Sequence, residues 1–207
     1  MHEIDSTNAI EFMNKKYIVH RDIKTENILI KDENRFVLAD FGVSDQASDL
    51  DGCSKFQGKI GTPAFMTPEV STNKYYDLKV DIWSLGLVIY RIVMRQFPFG
   101  KSDNEHEEFL IDFTDPCWTQ GSLPRCKDLI SKMLVINPSE RFSVSQCLSH
   151  NFTSFSNDSW SNLITTSTEL FNEQIQDFLK NDTKQFQESV MEPKKLMNKK
   201  NLILLLK

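Results

Sequence analysis

The chain has 207 residues, 40% of them hydrophobic and 26% charged, a balance that suits a soluble globular protein with one real core and room for a tail. Its net charge of −5 gives no basis for expecting nucleic acid as a partner. Cys53, Cys117, Cys126 and Cys147 form no paired spacing, which argues against a disulfide framework or a cysteine metal motif and suits a reducing compartment.

The start, Met1-His2-Glu3-Ile4-Asp5, lacks the basic-then-apolar pattern of a signal peptide. The longest terminal apolar run, Leu202 to Leu206, is too short to span a bilayer. No transmembrane segment is expected, and the default location is cytoplasmic, with the nucleus as the other choice.

Residues 7–16 set Ala9, Ile10, Phe12 and Met13 at helical spacing and predict a helix. Next come His20-Arg21-Asp22-Ile23-Lys24-Thr25-Glu26-Asn27, two short apolar runs, and Asp40-Phe41-Gly42. The runs, Ile28–Ile30 and Phe36–Ala39, flank the polar turn Lys31–Arg35 and predict a small hairpin. Such a hairpin brings Asn27 and Asp40 to the same end of neighbouring strands. Oxygen ligands meeting there suit Mg²⁺, which takes one or two protein ligands and completes its shell with phosphate and water. Asp22 is able to orient a hydroxyl and accept its proton, and Lys24 to steady a phosphoryl group.

His-Arg-Asp with Asn five residues after the Asp, followed by Asp-Phe-Gly, resembles the catalytic and metal-binding loops of a eukaryotic protein kinase. Lys24, two residues after Asp22, resembles the serine/threonine branch. The resemblance implies an ATP- and Mg²⁺-dependent transfer to a protein serine or threonine. In it Asp22 positions the substrate hydroxyl as base and Lys24 neutralises the γ-phosphoryl charge. Asn27 and Asp40 would hold the Mg²⁺ ions, and Glu26 would stand with them at the nucleotide. For Asp22 the bland alternative is an Asp that caps a turn. His20 is expected to pack and hydrogen-bond under Phe41 rather than act as an acid or base.

The helix over residues 7–16 would then be the end of the one that leads into the catalytic loop. The 207 residues contain no Gly-x-Gly-x-x-Gly, no Val-Ala-Ile-Lys strand and no helix with a partner Glu. The expected fold is mainly α with a small β-hairpin, a kinase-like C-terminal large lobe with the small lobe absent. An apolar patch, or a partner that replaces the small lobe, is expected on the face that would meet it.

Residues 43–66 would be the activation segment, with the polar stretch Ser48–Ser54 as a loop. In relatives Arg21 would pair with a phosphate on this segment. Gly58 stands three residues before Gly61, where that phosphosite is often found, so Ser54 is the nearest candidate on the N-terminal side. Thr62 matches the threonine that bridges the catalytic Asp and Lys; otherwise it is an ordinary turn residue before Pro63. Thr67-Pro68-Glu69 stands where the family has Ala-Pro-Glu, and the resemblance pairs Glu69 with a buried Arg141.

Asp81 to Met94 is apolar around most of its circumference and predicts a buried central helix. Asp81 would tie back to the catalytic-loop backbone and also serve as helix N-cap. Further helices are expected over Glu105–Phe113, Arg125–Leu134 and Ser143–Phe152. Trp83, Trp118 and Trp160 are read as core or interface. Residues 1–155 would form the lobe and residues 156–166, rich in Ser, Asn and Thr, a linker. Residues 167–207 would be a helical or partly disordered tail, with Thr166-Ser167-Thr168-Glu169 as a capping box. Its basic, apolar end reads as a frayed terminus, or as a calmodulin- or membrane-surface-binding segment.

Within the family, Asp40–Ser44 and Gly61–Met66 are similar to the calcium/calmodulin-dependent kinase kinases. The reading from another class is a non-catalytic, pseudokinase-like binding module or scaffold, suggested by the missing lysine and glycine loop.

Overall fold

A computed structural model describes residues 9–32, 35–47, 55–99, 111–121 and 123–154. Ser54, Trp160, the linker and the tail lie outside the described residues, as does most of the helix expected over residues 105–113. The end of that helix falls within them and is not helical: Ile111–Thr114 form an irregular segment. There Tyr90 donates its hydroxyl to the Asp112 carbonyl at 2.6 Å.

The centre of the molecule is α3 (Lys79–Met94). Every residue from Val80 to Tyr90 is buried, so this helix has no solvent face over three turns. Its buried Asp81 and Ser84 side chains are both satisfied. Ser84 donates to the Phe65 and Val80 carbonyls at 2.9 and 3.2 Å, and Asp81 takes two backbone N–H groups described below. The helix starts two residues ahead of Asp81, which therefore lies inside the first turn and is not its N-cap. The Asp77 carboxylate instead accepts from the Lys79 N–H at 2.8 Å.

Helix α4 (Leu123–Met133) sets Leu123, Cys126, Leu129, Ile130 and Met133 on one buried stripe against α3. It begins two residues before the expected start, with Pro124 in a first turn that tolerates it. Close approach depends on Gly86, where a Cβ would lie 2.9 Å from Leu134 Cδ2 and 3.1 Å from Met133 Cβ. Trp118 packs against both α3 and the segment before it, its ring 5.5 Å from Tyr90 and 5.2 Å from Phe113. Trp83 and Trp118 are thus core residues, as expected.

The expected last helix is two. α5 (Val144–Ser149) is opened by a capping box between Ser143 and Gln146, and α6 (Asn151–Ser154) follows. His150 between them is extended, at ψ 144°. The Thr153 hydroxyl holds the corner by donating to the Cys147 carbonyl at 2.6 Å.

The first part of the chain supplies α1 (Ala9–Lys15), β1 (Ile18–Val19), β2 (Ile28–Asp32), β3 (Arg35–Leu38) and β4 (Asp45–Gln46). β2 and β3 form the expected antiparallel hairpin, with Ile28 opposite Leu38 and a register shift between Ile30 and Asp32. β1 and β4 form a second two-stranded ladder, Ile18 opposite Gln46 and Val19 opposite Asp45. That ladder was not expected. Among the described residues no helix is long and apolar enough to cross a membrane.

Candidate active site

Chain order turns into geometry at the end of the β2–β3 hairpin. A 3-10 turn, Thr25–Asn27, leads into β2, and the Ala39 N–H donates to the Asn27 carbonyl at 2.8 Å. Asn27 and Asp40 therefore leave adjacent strands at the same end. Asn27 is buried and donates its amide to the Asp22 carbonyl (2.8 Å) and to Asp22 Oδ2 (3.1 Å). With the amide nitrogen so committed, Oδ1 is the group Asn27 can offer elsewhere. Asp40 is exposed and holds a left-handed backbone, φ 62°, steadied by a bond from the Gly42 N–H to its own Oδ1 at 3.3 Å.

Asp22 sits in a cage of donors. Its Oδ1 accepts the Thr62 N–H at 3.0 Å and the Thr62 hydroxyl at 2.6 Å. Its Oδ2 accepts Lys24 Nζ at 2.7 Å beside the Asn27 amide, and Lys24 also reaches the Thr62 hydroxyl at 2.9 Å. Burial alone would raise this carboxyl. The bonds from Lys24 and Thr62, with the lysine charge, outweigh it and hold Asp22 below the ordinary carboxylate range. Thr62 bridges Asp22 and Lys24, which rules out the plain turn residue as its only role.

The cage closes because Gly61 allows it. Gly61 has φ 111°, and a Cβ there would fall 2.2 Å from the Arg21 carbonyl oxygen. Only glycine lets the 61–62 segment lie against the loop that carries Asp22.

Below the cage the loop is pinned from α3. Asp81 Oδ2 accepts the His20 N–H at 2.8 Å and Oδ1 accepts the Arg21 N–H at 3.0 Å. Its complete burial pushes the carboxyl up to about 6, against the pull of those two donors and of the Arg21 charge. The two bonds also hold Arg21 in a left-handed conformation, φ 69°, which costs a non-glycine residue about 1–3 kcal/mol. His20 is buried beneath Phe41, ring centroids 4.8 Å apart in an edge arrangement. Its Nδ1 accepts the Asp22 N–H at 3.3 Å, so the proton sits on Nε2, which donates to the Ala39 carbonyl at 3.1 Å. Burial pushes His20 below its ordinary value, in agreement with a neutral ring used as a strut.

Two expected residues are engaged differently. Glu26 meets the Thr25 hydroxyl at 2.8 Å and Arg91 of α3 at 3.4 Å, and that guanidinium lies 5.1 Å over the Phe97 ring. Burial would raise the Glu26 carboxyl, but its own backbone N–H, Thr25 and Arg91 hold it below the ordinary range. Arg21 pairs with Asp45 of β4 at 3.0 Å, a residue to which the sequence alone assigns no role of its own.

Farther out, Glu69 and Arg141 form the expected buried pair, two-pronged at 2.7 and 3.1 Å. Arg141 gives its remaining donors to the Val135, Ile136 and Lys79 carbonyls. Thr67, which replaces the family's alanine, is buried and caps α2 (Pro68–Ser71) by accepting the Val70 N–H at 3.2 Å. Thr followed by Pro is the local signal that could have found this cap.

A carboxylate held by a lysine, a threonine and an asparagine beside two oxygen donors can orient a hydroxyl next to a metal-bound anion. A protein kinase domain matches residues 4–153. The chain belongs to the protein kinase family. It is similar to a probable myosin light chain kinase of Dictyostelium discoideum, 37% identical over 153 residues, 69% of this chain and 38% of that one. It is also similar to the calcium/calmodulin-dependent protein kinase type I of Schizosaccharomyces pombe, 35% identical over 175 residues, 81% of this chain and 52% of that one. A third relative is the serine/threonine-protein kinase kin-29 of Caenorhabditis briggsae, 35% identical over 159 residues, 74% of this chain and 19% of that one. The chain spans about a fifth to about half of the length of these relatives.

Proposed function

We propose that this chain is the large lobe of a serine/threonine protein kinase and transfers the γ-phosphoryl of ATP to a protein hydroxyl. The observation that carries the reading is the donor cage on Asp22, built by Lys24, Thr62 and Asn27 beside Asp40. Asn27 Oδ1 and the exposed Asp40 carboxylate are hard oxygen donors. They fit Mg²⁺, which needs few protein ligands when phosphate and water supply the rest. When bound, Mg-ATP supplies the phosphoryl group and the charge that offsets its phosphates.

The chain's own residues then act as follows. Asp22, kept ionised by its donors, accepts a hydrogen bond from the incoming serine or threonine hydroxyl and aims it. A carboxylate loaded with four donors is a weak base, so its work is orientation, with the proton taken late. Lys24 swings its charge between Asp22 and the transferring group, and Thr62 keeps both in register. Asp81 and His20 keep the loop and the Ala39–Asp40 backbone at a fixed separation.

The test uses the native protein, captured with an antibody to residues 160–207, and radiolabelled ATP with a serine-containing acceptor protein. Asp22→Asn is expected to lower transfer on the order of 10²- to 10⁴-fold, and Asp40→Ala to abolish it. Unchanged transfer by both variants would overturn the reading.

A further inference from the structure

Arg21 is the residue whose surroundings depart from what the resemblance implies. Its side chain is only 10% exposed, and a guanidinium so far from water demands a counter-charge. Asp45 provides one at 3.0 Å, while Arg21 Nε donates to the Val43 carbonyl. Asp81 also bears on the Arg21 charge, but its two oxygens are taken by backbone N–H groups. Both Asp45 oxygens are used, since Oδ1 accepts the Gln46 N–H at 2.9 Å while Oδ2 faces Arg21.

The pair also sits on a ladder. Asp45 lies opposite Val19, the Ala47 N–H donates to the Tyr17 carbonyl at 2.9 Å, and the Ser44 hydroxyl reaches the His20 carbonyl at 3.4 Å. The segment that leaves Asp40 is thus fastened to the segment that enters Asp22, with the ion pair at its centre.

We infer that Asp45 is a built-in counter-charge for Arg21, and that this pair clamps the segment behind Asp40 onto the catalytic loop without a phosphorylated side chain. Arg21 and Asp45 are positioning residues, and their link to catalysis rests on the proposed role of Asp40. The chain itself carries the negative charge that a phosphate on the activation segment would bring.

The test is hydrogen exchange by mass spectrometry on the full 207-residue chain, shown by intact mass to carry no phosphate. Wild type, Asp45→Asn and Asp45→Glu are compared. Wild type should protect residues 45–47 without phosphate. Asp45→Asn should exchange about fivefold faster there, with α3 and α4 unchanged, and Asp45→Glu should restore protection. Exchange in Asp45→Asn equal to wild type, or protection of wild type only after phosphorylation, would overturn the inference. So would an Asp45→Glu chain that behaves like Asp45→Asn, because the charge would then not be the cause.

Mn²⁺ binding, followed by electron paramagnetic resonance on the same three proteins, reads the link to Asp40. Weaker binding in Asp45→Asn, rescued in Asp45→Glu, supports the link. No Mn²⁺ binding by wild type would count against the metal role of Asn27 and Asp40, while the exchange data would still decide the clamp.

Discussion

His20 touches both halves of the site, taking the Asp22 N–H on one ring nitrogen and donating to the Ala39 carbonyl from the other. A protonated ring would lose the first bond, and burial already disfavours the charge. The folded pKa lies below the ordinary 6.5, so as pH falls the unfolded chain binds the proton first. The contribution of His20 to stability is therefore complete above 6.5 and is lost as pH falls toward the folded value. Asp81 works in the opposite sense. Its carboxyl, pushed up to about 6, lets the folded state hold a proton that the unfolded state releases, so its contribution falls as pH rises toward 6 and is level above it. We expect urea midpoints of wild type to decline from pH 7.5 to pH 6, with a slope of at most about 1.4 kcal/mol per pH unit from His20. In His20→Gln that component should vanish; an unchanged slope would show that the ring is not held neutral. A second expectation belongs to Gly61. Gly61→Ala meets the Arg21 carbonyl and must displace Thr62 from Asp22, so the proposed phosphoryl transfer should drop at least about tenfold, on the order expected for a misplaced contact at the reacting group. Steady-state assays that show full transfer would refute it.

Thr67 shows how an element depends on one cap. Val70 N–H has the Thr67 hydroxyl as its acceptor, and alanine, the family's usual residue there, cannot supply it. Thr67→Ala should lower stability by about 1 kcal/mol in urea unfolding, an effect absent in Thr67→Ser. Between α3 and α4 the sign is set by space. Gly86→Ala gains about 1 kcal/mol of helix propensity, yet its methyl meets Leu134 and the fixed Met133 Cβ inside a filled core. Net destabilisation of about 1 kcal/mol is expected, and a stabilised variant would show that Leu134 can yield. These elements were legible to different degrees. The buried α3 announced itself by composition, and the hairpin by two apolar runs around a polar turn. The β1–β4 ladder did not, because Asp45 and Gln46 carry no alternation and the strands are two residues long. Neither did the corner at His150, where no Gly or Pro marks the break and the Thr153 hydroxyl makes it. The site was legible where it is local: Asp22, Lys24, Asn27 and Asp40 fall in one short stretch. Asp45 was missed because a counter-charge is recognised by what it faces, and sequence does not show what faces Arg21.

At the scale of the whole molecule, the Glu69–Arg141 pair joins α2 to the connection between α4 and α5 across 72 positions. Both side chains are buried, and Arg141 is further bound by three carbonyls, so removal of the acid strands a charge that has no route to water. Such losses cost about 3–5 kcal/mol, and Glu69→Ala should approach that figure in urea unfolding.

Around the site the balance is reversed, and apolar surface is left outward. Leu29 on β2 is 51% exposed, Phe41 beside Asp40 is 47% exposed, and Val43 is 37% exposed. Leu29 lies two residues past Asn27 and Phe41 directly follows Asp40, so these side chains flank the proposed metal ligands. The rest of the described chain buries its large apolar residues efficiently, with Tyr75 and Ile136 the other exceptions. Exposed apolar side chains close in sequence to the proposed ligands suit a face that a partner covers. The 207-residue chain should therefore enhance the fluorescence of a hydrophobic dye such as anilinonaphthalene sulfonate. Leu29→Ser combined with Val43→Ser should remove most of that signal while leaving the core, and the urea midpoint, nearly unchanged. Phe41 is kept in this variant because its ring also packs on His20. A monomer that binds neither dye nor partner would mean that this face needs no cover.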